Sequence, residues 1–233
     1  MGKSQDKALG YKSLTECVID YLKQKLLDGE LHPGEEVNLT SLCETLGVSR
    51  TPVREALVQL IKDGFIEEAT RKGFKIKKLG RSEIEDIYRI GGLLESEVVK
   101  IACDRMSDRD VERLEAMLNE SEAELGRGDH AAYAAKNSAF NEFMRSFCPN
   151  ALLTDLVENI RERLYFAHNR SDAPEWNRLM VTDHRRIISL LKDRDKPGLE
   201  RLIREVHWNF DRHLPFILRF YSLAENTSDG NQP

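Results

Sequence analysis

Two arginines one helical turn apart are the residues of this 233-residue chain whose type and spacing point most directly to a chemistry. Arg50 and Arg54 lie in the segment GVSRTPVREAL, where Ser49 and Thr51 suit a helix N-cap and Pro52 suits a first turn. Because side chains at i and i+4 share a helix face, both guanidinium groups are predicted to leave the same side. A guanidinium group can donate two parallel hydrogen bonds to a guanine edge. The pattern therefore favours insertion of this helix into a DNA major groove.

Four polar side chains further along the chain fall on helical stripes that are predicted to face inward. Asn137 and Asn141 are one turn apart on one helix, and His184 and His207 lie on two later helices. Each of them alone is more often an ordinary core residue with a hydrogen bond. Side chains that converge from facing helices are, however, the usual construction of a ligand site inside a helical bundle. Together the four predict such a site, and His168 and His213 lie beside the same stripes.

Composition limits the partners of the chain. The formal charge of −5 excludes a globally basic nucleic-acid binder, yet residues 49–78 hold 8 basic against 4 acidic side chains. The four cysteines form no CxxC pair, which favours reduced structural thiols over a zinc or redox site. No apolar run is long enough to span a membrane, and the N-terminus has no signal-like segment. We therefore expect a cytoplasmic protein without a membrane partner.

The residues around the arginine pair predict a winged helix-turn-helix domain over 13–80, after a flexible N-terminus at 1–12. Two short helices are expected before the arginine helix, the first ending near Gly29 and the second capped by Asn38 and ended by Gly47. After it, two extended stretches flank the basic turn Arg71-Lys72-Gly73 and predict a two-stranded wing.

The rest of the chain predicts an all-α six-helix bundle over 81–223, followed by a flexible tail at 224–233. Nearly every window has a helical period and none is convincingly a strand. The expected fold class is therefore mainly α, with a small β wing. The first helix is expected around the stripe at 84–101, and the others near residues 108–126, 129–147, 150–168, 174–192 and 197–221.

The segment PGEEVNLTSLCETLGVSRTPVREALVQLIKDGFIEEATRKGFKI resembles the winged-helix signature of the GntR family of bacterial transcription regulators. The helical half resembles the FCD-type effector domain of the FadR-like subgroup, through LLESEVVKIA, FNEF followed by NALL, and DHRRII followed by VHWNF. Both resemblances together cover roughly residues 13–220. They imply a homodimer that binds a palindromic operator and changes its DNA affinity when a small metabolite enters the helical domain. The residues that match the family's DNA-contacting positions are Ser49, Arg50, Thr51 and Arg54 on the helix, and Lys72 and Gly73 at the wing tip.

The resemblance also bears on the inward polar residues. Many relatives hold a divalent metal with an Asp and a His four residues apart and a His on each of two later helices. His184 and His207 match the later positions, but Asn137 stands in place of the Asp and Asn141 in place of the first His. Amide oxygens are weak ligands for transition metals, so an organic effector is favoured over a metal held by the two histidines. The family often has an arginine near Gly91 for acidic ligands, whereas here Gly91-Gly92 opens space in mid-helix, so recognition of an acidic ligand through that position is not expected.

Two other functions remain open from the sequence. A constitutive DNA-binding protein could use the helical domain for dimerisation alone. An enzyme with His184 or His207 as general base is disfavoured, because the chain has no Ser-His-Asp order, no HExxH helix and no phosphate-binding glycine loop.

Overall fold

The computed structural model of the chain describes residues 12–69, 73–166 and 174–221. The chain divides into two compact units, one ending at Lys78 and the other beginning at Leu79. The described strands belong to the first unit, and the described part of the second is helical. The predicted fold class, a winged helix-turn-helix followed by an all-helical domain, is confirmed. Within the described ranges, no helix has the length and apolar composition needed to cross a bilayer.

Local capping signals determine where the helices of the first unit begin and end. Its helices are α1 (Leu14–Leu27), α2 (Leu39–Leu46) and α3 (Arg50–Lys62). The side chain of Asn38 caps α2 by accepting a hydrogen bond from the Ser41 N–H (3.0 Å), and Gly47 ends it at φ 65°. A left-handed residue at this position satisfies the last carbonyls of a helix, and glycine adopts it without strain.

The sheet of the first unit has one more strand than the sequence predicts. Strands β2 (Ile66–Ala69) and β3 (Gly73–Ile76) form the expected antiparallel hairpin, and β1 (Glu36–Val37) pairs with the other edge of β3. A two-residue strand has no alternating pattern, so only its pairing with β3 identifies it.

The second unit is built from long amphipathic helices around one core. They are α4 (Arg81–Arg105), α5 (Asp108–Arg127), α6 (His130–Arg145), α7 (Ala151–Phe166) and α8 (Pro174–Lys192). The core includes Phe140, Ile187 and Leu114, all of them with no exposed surface. Gly128, at φ 77°, ends α5 where the glycine pattern predicts.

The last predicted helix, 197–221, is divided in the structure. Helix α9 (Lys196–Leu202) continues into a π-helical turn (Ile203–His207), and a new helix, α10 (Phe210–Phe220), begins after Trp208. Asn209 caps α10, since its side-chain oxygen accepts from the Arg212 N–H at 2.8 Å. The expectation of one continuous helix was wrong because this local cap competes with helix continuation.

Candidate functional site

Helix α3 presents the predicted DNA-contacting residues on its exposed face. Val53, Ala56 and Leu57 are completely buried on the opposite face, which anchors the helix to its unit. Ser49 is the N-cap residue and makes no side-chain capping bond, so its hydroxyl stays available. Ser49, Arg50, Thr51 and Arg54 are all exposed.

The two guanidinium groups of this surface are available for a partner. In the described part of the chain, neither Arg50 nor Arg54 forms a salt bridge, although Glu55 lies beside Arg54. Thr15 on α1 donates a hydrogen bond to the Glu55 carboxylate at 3.0 Å, which ties that acid to α1. Gly73 is half-buried at the start of β3, whereas Lys72 lies outside the described residues.

The four predicted polar residues of the second unit line one cavity of about 80 Å³. Asn137 and Asn141 come from α6, His184 from α8 and His207 from the π-helical turn. The structure therefore brings together, at one cavity, the four residues that the sequence predicted to converge from three helices. Other side chains that line the cavity are Tyr88, Tyr133, Arg161, Trp176, Trp208, His213 and Ile217.

The polar wall of the cavity has a hydrogen-bonding atom without a partner. The Asn141 Nδ2 donates to the backbone oxygen of Asn137 at 2.8 Å, but its Oδ1 is buried with no partner in the described chain. His184 stacks on Phe140 at 4.5 Å between ring centroids and lies 5.4 Å from His207. A buried acceptor left unpaired costs about 1 to 3 kcal/mol, so it is a position where a ligand gains a hydrogen bond.

His213 is a pocket residue that the sequence placed only beside the inward stripes. Its side chain is 1% exposed, and among the described residues neither Nδ1 nor Nε2 has a hydrogen-bond partner. Its ring lies 4.7 Å from Trp176 and 5.7 Å from Tyr88 between centroids. An imidazole with both nitrogens buried and unpaired is unusual in a core and marks a binding position.

The cavity holds two of its imidazoles in the uncharged form. Burial, followed by the charges of His207 and Arg161, lowers the pKa of His184 to about 3. Burial, followed by His207 and Arg212, lowers the pKa of His213 to about 3. At neutral pH each ring therefore offers one N–H donor and one nitrogen acceptor.

A buried ion pair forms one side of the cavity, and the sequence analysis missed it. Arg161 on α7 contacts the Glu95 carboxylate on α4 with two nitrogens, its Nε at 3.0 Å, and the Trp208 Nε1 donates to the same carboxylate at 2.8 Å. Burial alone would raise the pKa of Glu95, but Arg161 and His207 outweigh it and lower the pKa to about 2. Glu95 is four residues after Gly91 on the inward stripe of α4, and that position was the available signal.

A second buried carboxylate, that of Asp183, lies next to the His207 ring. Arg212 binds Asp183 with two nitrogens at 2.6 and 2.9 Å, and the His207 Nδ1 lies 3.5 Å from the same carboxylate. Burial would raise the pKa of Asp183, but the contacts with His207 and Arg212 lower it below its usual value. At this separation the His207 Nδ1 makes no hydrogen bond within the described residues, so it is a further polar atom of the site that a ligand can pair with.

Trp208 fills the space that Gly91 and Gly92 leave on α4. A Cβ added at Gly91 would lie 2.4 Å from the Trp208 ring, and one at Gly92 would lie 3.1 Å from the Trp208 Cβ. The two glycines therefore permit close packing of the indole, which in turn reaches Glu95. A side chain at residue 91 or 92 would collide with Trp208, so neither position can present a side chain to the cavity.

The donor set does not fit a transition metal. Of the four predicted residues, His184 and His207 supply imidazoles, whereas Asn137 and Asn141 offer only neutral amide oxygens, which are weak ligands for transition metals. In the described residues, no group of three or more His, Cys, Asp or Glu side chains is arranged to share an ion. A stable site for such an ion needs more anionic or imidazole ligands than this.

A winged helix-turn-helix unit followed by a helical unit with an internal pocket is the architecture of a bacterial transcription regulator. The sequence matches the profile described as bacterial regulatory proteins, gntR family, over residues 14–76, and that of the FCD domain over residues 86–207. The chain belongs to the GntR family of regulators and carries an FCD effector-binding domain.

Individual relatives agree with this assignment. An uncharacterized HTH-type transcriptional regulator, YdhC of Bacillus subtilis, is 30% identical over 200 residues, 84% of this chain and 89% of YdhC. The Nta operon transcriptional regulator of Aminobacter aminovorans is 31% identical over 188 residues, 79% of this chain and 87% of that protein. The solved structure of E. coli McbR/YncC superimposes with a TM-score of 0.70 at 25% identity, covering 90% of this chain and 99% of that one. These relatives are regulators and not enzymes.

Proposed function

We propose that this protein is a ligand-responsive, cytoplasmic regulator that binds a palindromic operator as a homodimer, and that a small organic metabolite in the helical pocket changes its DNA affinity. The observation that carries the proposal is the cavity of the helical unit. Its wall holds buried polar atoms, on Asn141 and His213, that have no hydrogen-bond partner among the residues described. Unpaired buried atoms destabilise the empty protein, and a matching ligand recovers that free energy.

The DNA-binding half of the proposal rests on the exposed face of α3. Arg50 and Arg54 reach base edges in the major groove, and Ser49 and Thr51 bind the backbone or bases near the helix N-terminus. Lys72 and Gly73 at the wing tip contact the backbone. One such helix reads few base pairs, so two symmetric copies are needed for a specific operator, and the helical domain joins them.

The effector half of the proposal assigns Asn137, Asn141, His184 and His207 to the ligand. A ligand shifts operator affinity only by its difference in affinity for the two states of the regulator. Coupling of about 1 to 3 kcal/mol, roughly 5- to 150-fold in affinity, is the usual range. A divalent metal bound by His184 and His207 is the less favoured occupant, because the amides at 137 and 141 replace its other ligands.

An operator titration tests the proposal. The operator is first selected from random duplexes, and Arg54→Ala should weaken binding to it by about 1 to 3 kcal/mol and relax base preference, whereas Lys72→Ala should weaken all sequences alike. Small molecules released from the purified protein should then shift the wild-type affinity within the range given above. Unchanged affinity in Arg54→Ala contradicts the assignment of α3, and an operator affinity that no extract alters favours a constitutive DNA-binding protein.

A further inference from the structure

We infer that the effector is a small uncharged molecule with both a hydrogen-bond donor and an acceptor, such as a carboxamide or a comparable heterocycle, and not a carboxylate. This inference rests on the proposed function of the pocket and specifies the class of molecule that fits it. It follows from three independent features of the cavity, namely its charges, its unpaired atoms and its size.

The fixed charges around the cavity already neutralise one another. The Arg161 guanidinium is bound to the Glu95 carboxylate, and Arg212 is bound to Asp183 through two nitrogens. The His207 Nδ1 lies 3.5 Å from that same Asp183 carboxylate. An anionic ligand would have to compete with a buried carboxylate for its cation, and a buried charge without a partner is strongly destabilising.

The unpaired atoms require a ligand that donates as well as accepts. The Asn141 Oδ1 can only accept a hydrogen bond, and its Nδ2 is already used within α6. The uncharged His213 ring has one donor and one acceptor nitrogen, both without partners in the described chain. A carboxylate only accepts, so it would leave the Asn141 oxygen and one His213 nitrogen unpaired. A primary amide has two N–H donors and a carbonyl acceptor and can pair with both side chains.

The size and the walls of the cavity limit the ligand further. A cavity of about 80 Å³ corresponds to roughly five to eight positions for a single water, so the part of the ligand held here is small. Trp176, Tyr88 and Ile217 give this part of the wall aromatic and aliphatic surface around His213. A cavity that encloses a whole benzene ring is nearly twice as large, about 150 Å³. This cavity therefore holds the amide end of the ligand and only part of an attached ring.

A pair of isosteric probes tests the inference on the full-length protein. Benzamide and benzoate have the same ring and nearly the same shape, but only benzamide is uncharged and donates hydrogen bonds. At neutral pH, calorimetry should show that benzamide binds about tenfold more tightly than benzoate, the effect of about one additional paired group. Tighter binding of benzoate overturns the inference on ligand class and leaves the pocket as an effector site.

Variants of His213 link the preference to the pocket. His213→Phe keeps a ring against Trp176 but removes both nitrogens. It should weaken benzamide binding more than benzoate binding, because the amide loses a donor and an acceptor partner and the carboxylate loses only a donor partner, so the preference for benzamide should shrink. His213→Gln retains one donor and one acceptor and should preserve most of the preference. His32→Phe is the matched control, because His32 is exposed in the other unit.

The remaining outcomes are also decisive. If His213→Phe leaves the preference for benzamide intact, or if neither compound binds the wild-type protein, the inference is overturned. The proposed function is judged separately by the operator titration with released small molecules, which uses neither probe.

Discussion

The helical domain should lose stability steeply as the pH falls below about 6.5, because the fold holds His184 and His213 uncharged. Burial is the largest cause in both residues and lowers each pKa from 6.5 to about 3. The surrounding charges contribute less. His207 and Arg161 lower the pKa of His184 further, and Glu95 and Asp183 raise it. His207 and Arg212 lower the pKa of His213 further, and Asp183 raises it.

The size of the effect follows from proton linkage. Between pH about 6 and about 4 the unfolded chain binds a proton at each ring and the folded chain does not, so each ring contributes about 1.4 kcal/mol per pH unit. The two rings together give about 2.7 kcal/mol per unit, which removes a large part of a total stability of about 5 to 15 kcal/mol. Glu95 does not add to this slope. Its pKa is lowered to about 2, so its contribution is complete above pH about 4.5 and is lost only in stronger acid.

Urea unfolding at a series of pH values measures this slope. Both tryptophans of the chain, Trp176 and Trp208, lie in the helical domain, so their fluorescence reports on that domain. His213→Phe should reduce the slope by about half, to about 1.4 kcal/mol per pH unit, and the His32→Phe control should leave it unchanged. A wild-type stability that is flat between pH about 6 and about 4.5, or a slope that His213→Phe does not alter, would refute the reasoning.

Three further predictions concern packing, metal binding and assembly. Gly91→Ala should destabilise the helical domain by about 1 to 3 kcal/mol in urea unfolding, since its Cβ would overlap the Trp208 ring. Gly126→Ala is the control, because nothing lies within 4 Å of its Cβ, and it should stabilise α5 by about 0.5 to 1 kcal/mol. Elemental analysis should find no stoichiometric zinc, nickel or manganese in the unaltered protein, and a full equivalent of any of these metals would contradict this prediction. The double change Asn137→Asp with Asn141→His should create metal binding, because it supplies a carboxylate and a third imidazole. Removal of residues 1–80 should leave a dimer in sedimentation, and a monomer would refute dimerisation through the helical domain.

Local interactions explain the features that the sequence alone determined. The cap of Asn38, the ends at Gly47 and Gly128 and the inward stripe of α6 all depend on residues a few positions apart. Capping, glycine backbone freedom and helical periodicity act over this range, so they can be read from one sequence. The arginine face of α3 belongs to the same group, because residues 50 and 54 share a face in any helix.

The tertiary structure decided the features that join distant parts of the chain. Glu95 and Arg161 are 66 residues apart, and Asp183 and Arg212 are 29 apart. The inward position of Glu95 on α4 could be read from the sequence, but the partner of neither carboxylate could. The site was predicted as four polar residues that converge from three helices. Packing of α4, α7, α8 and α10 added the neutralising charges and left the imidazole of His213 without a hydrogen-bond partner among the described residues. Which polar groups remain unpaired depends on the distances between side chains of different helices, and those distances exist only in the folded chain.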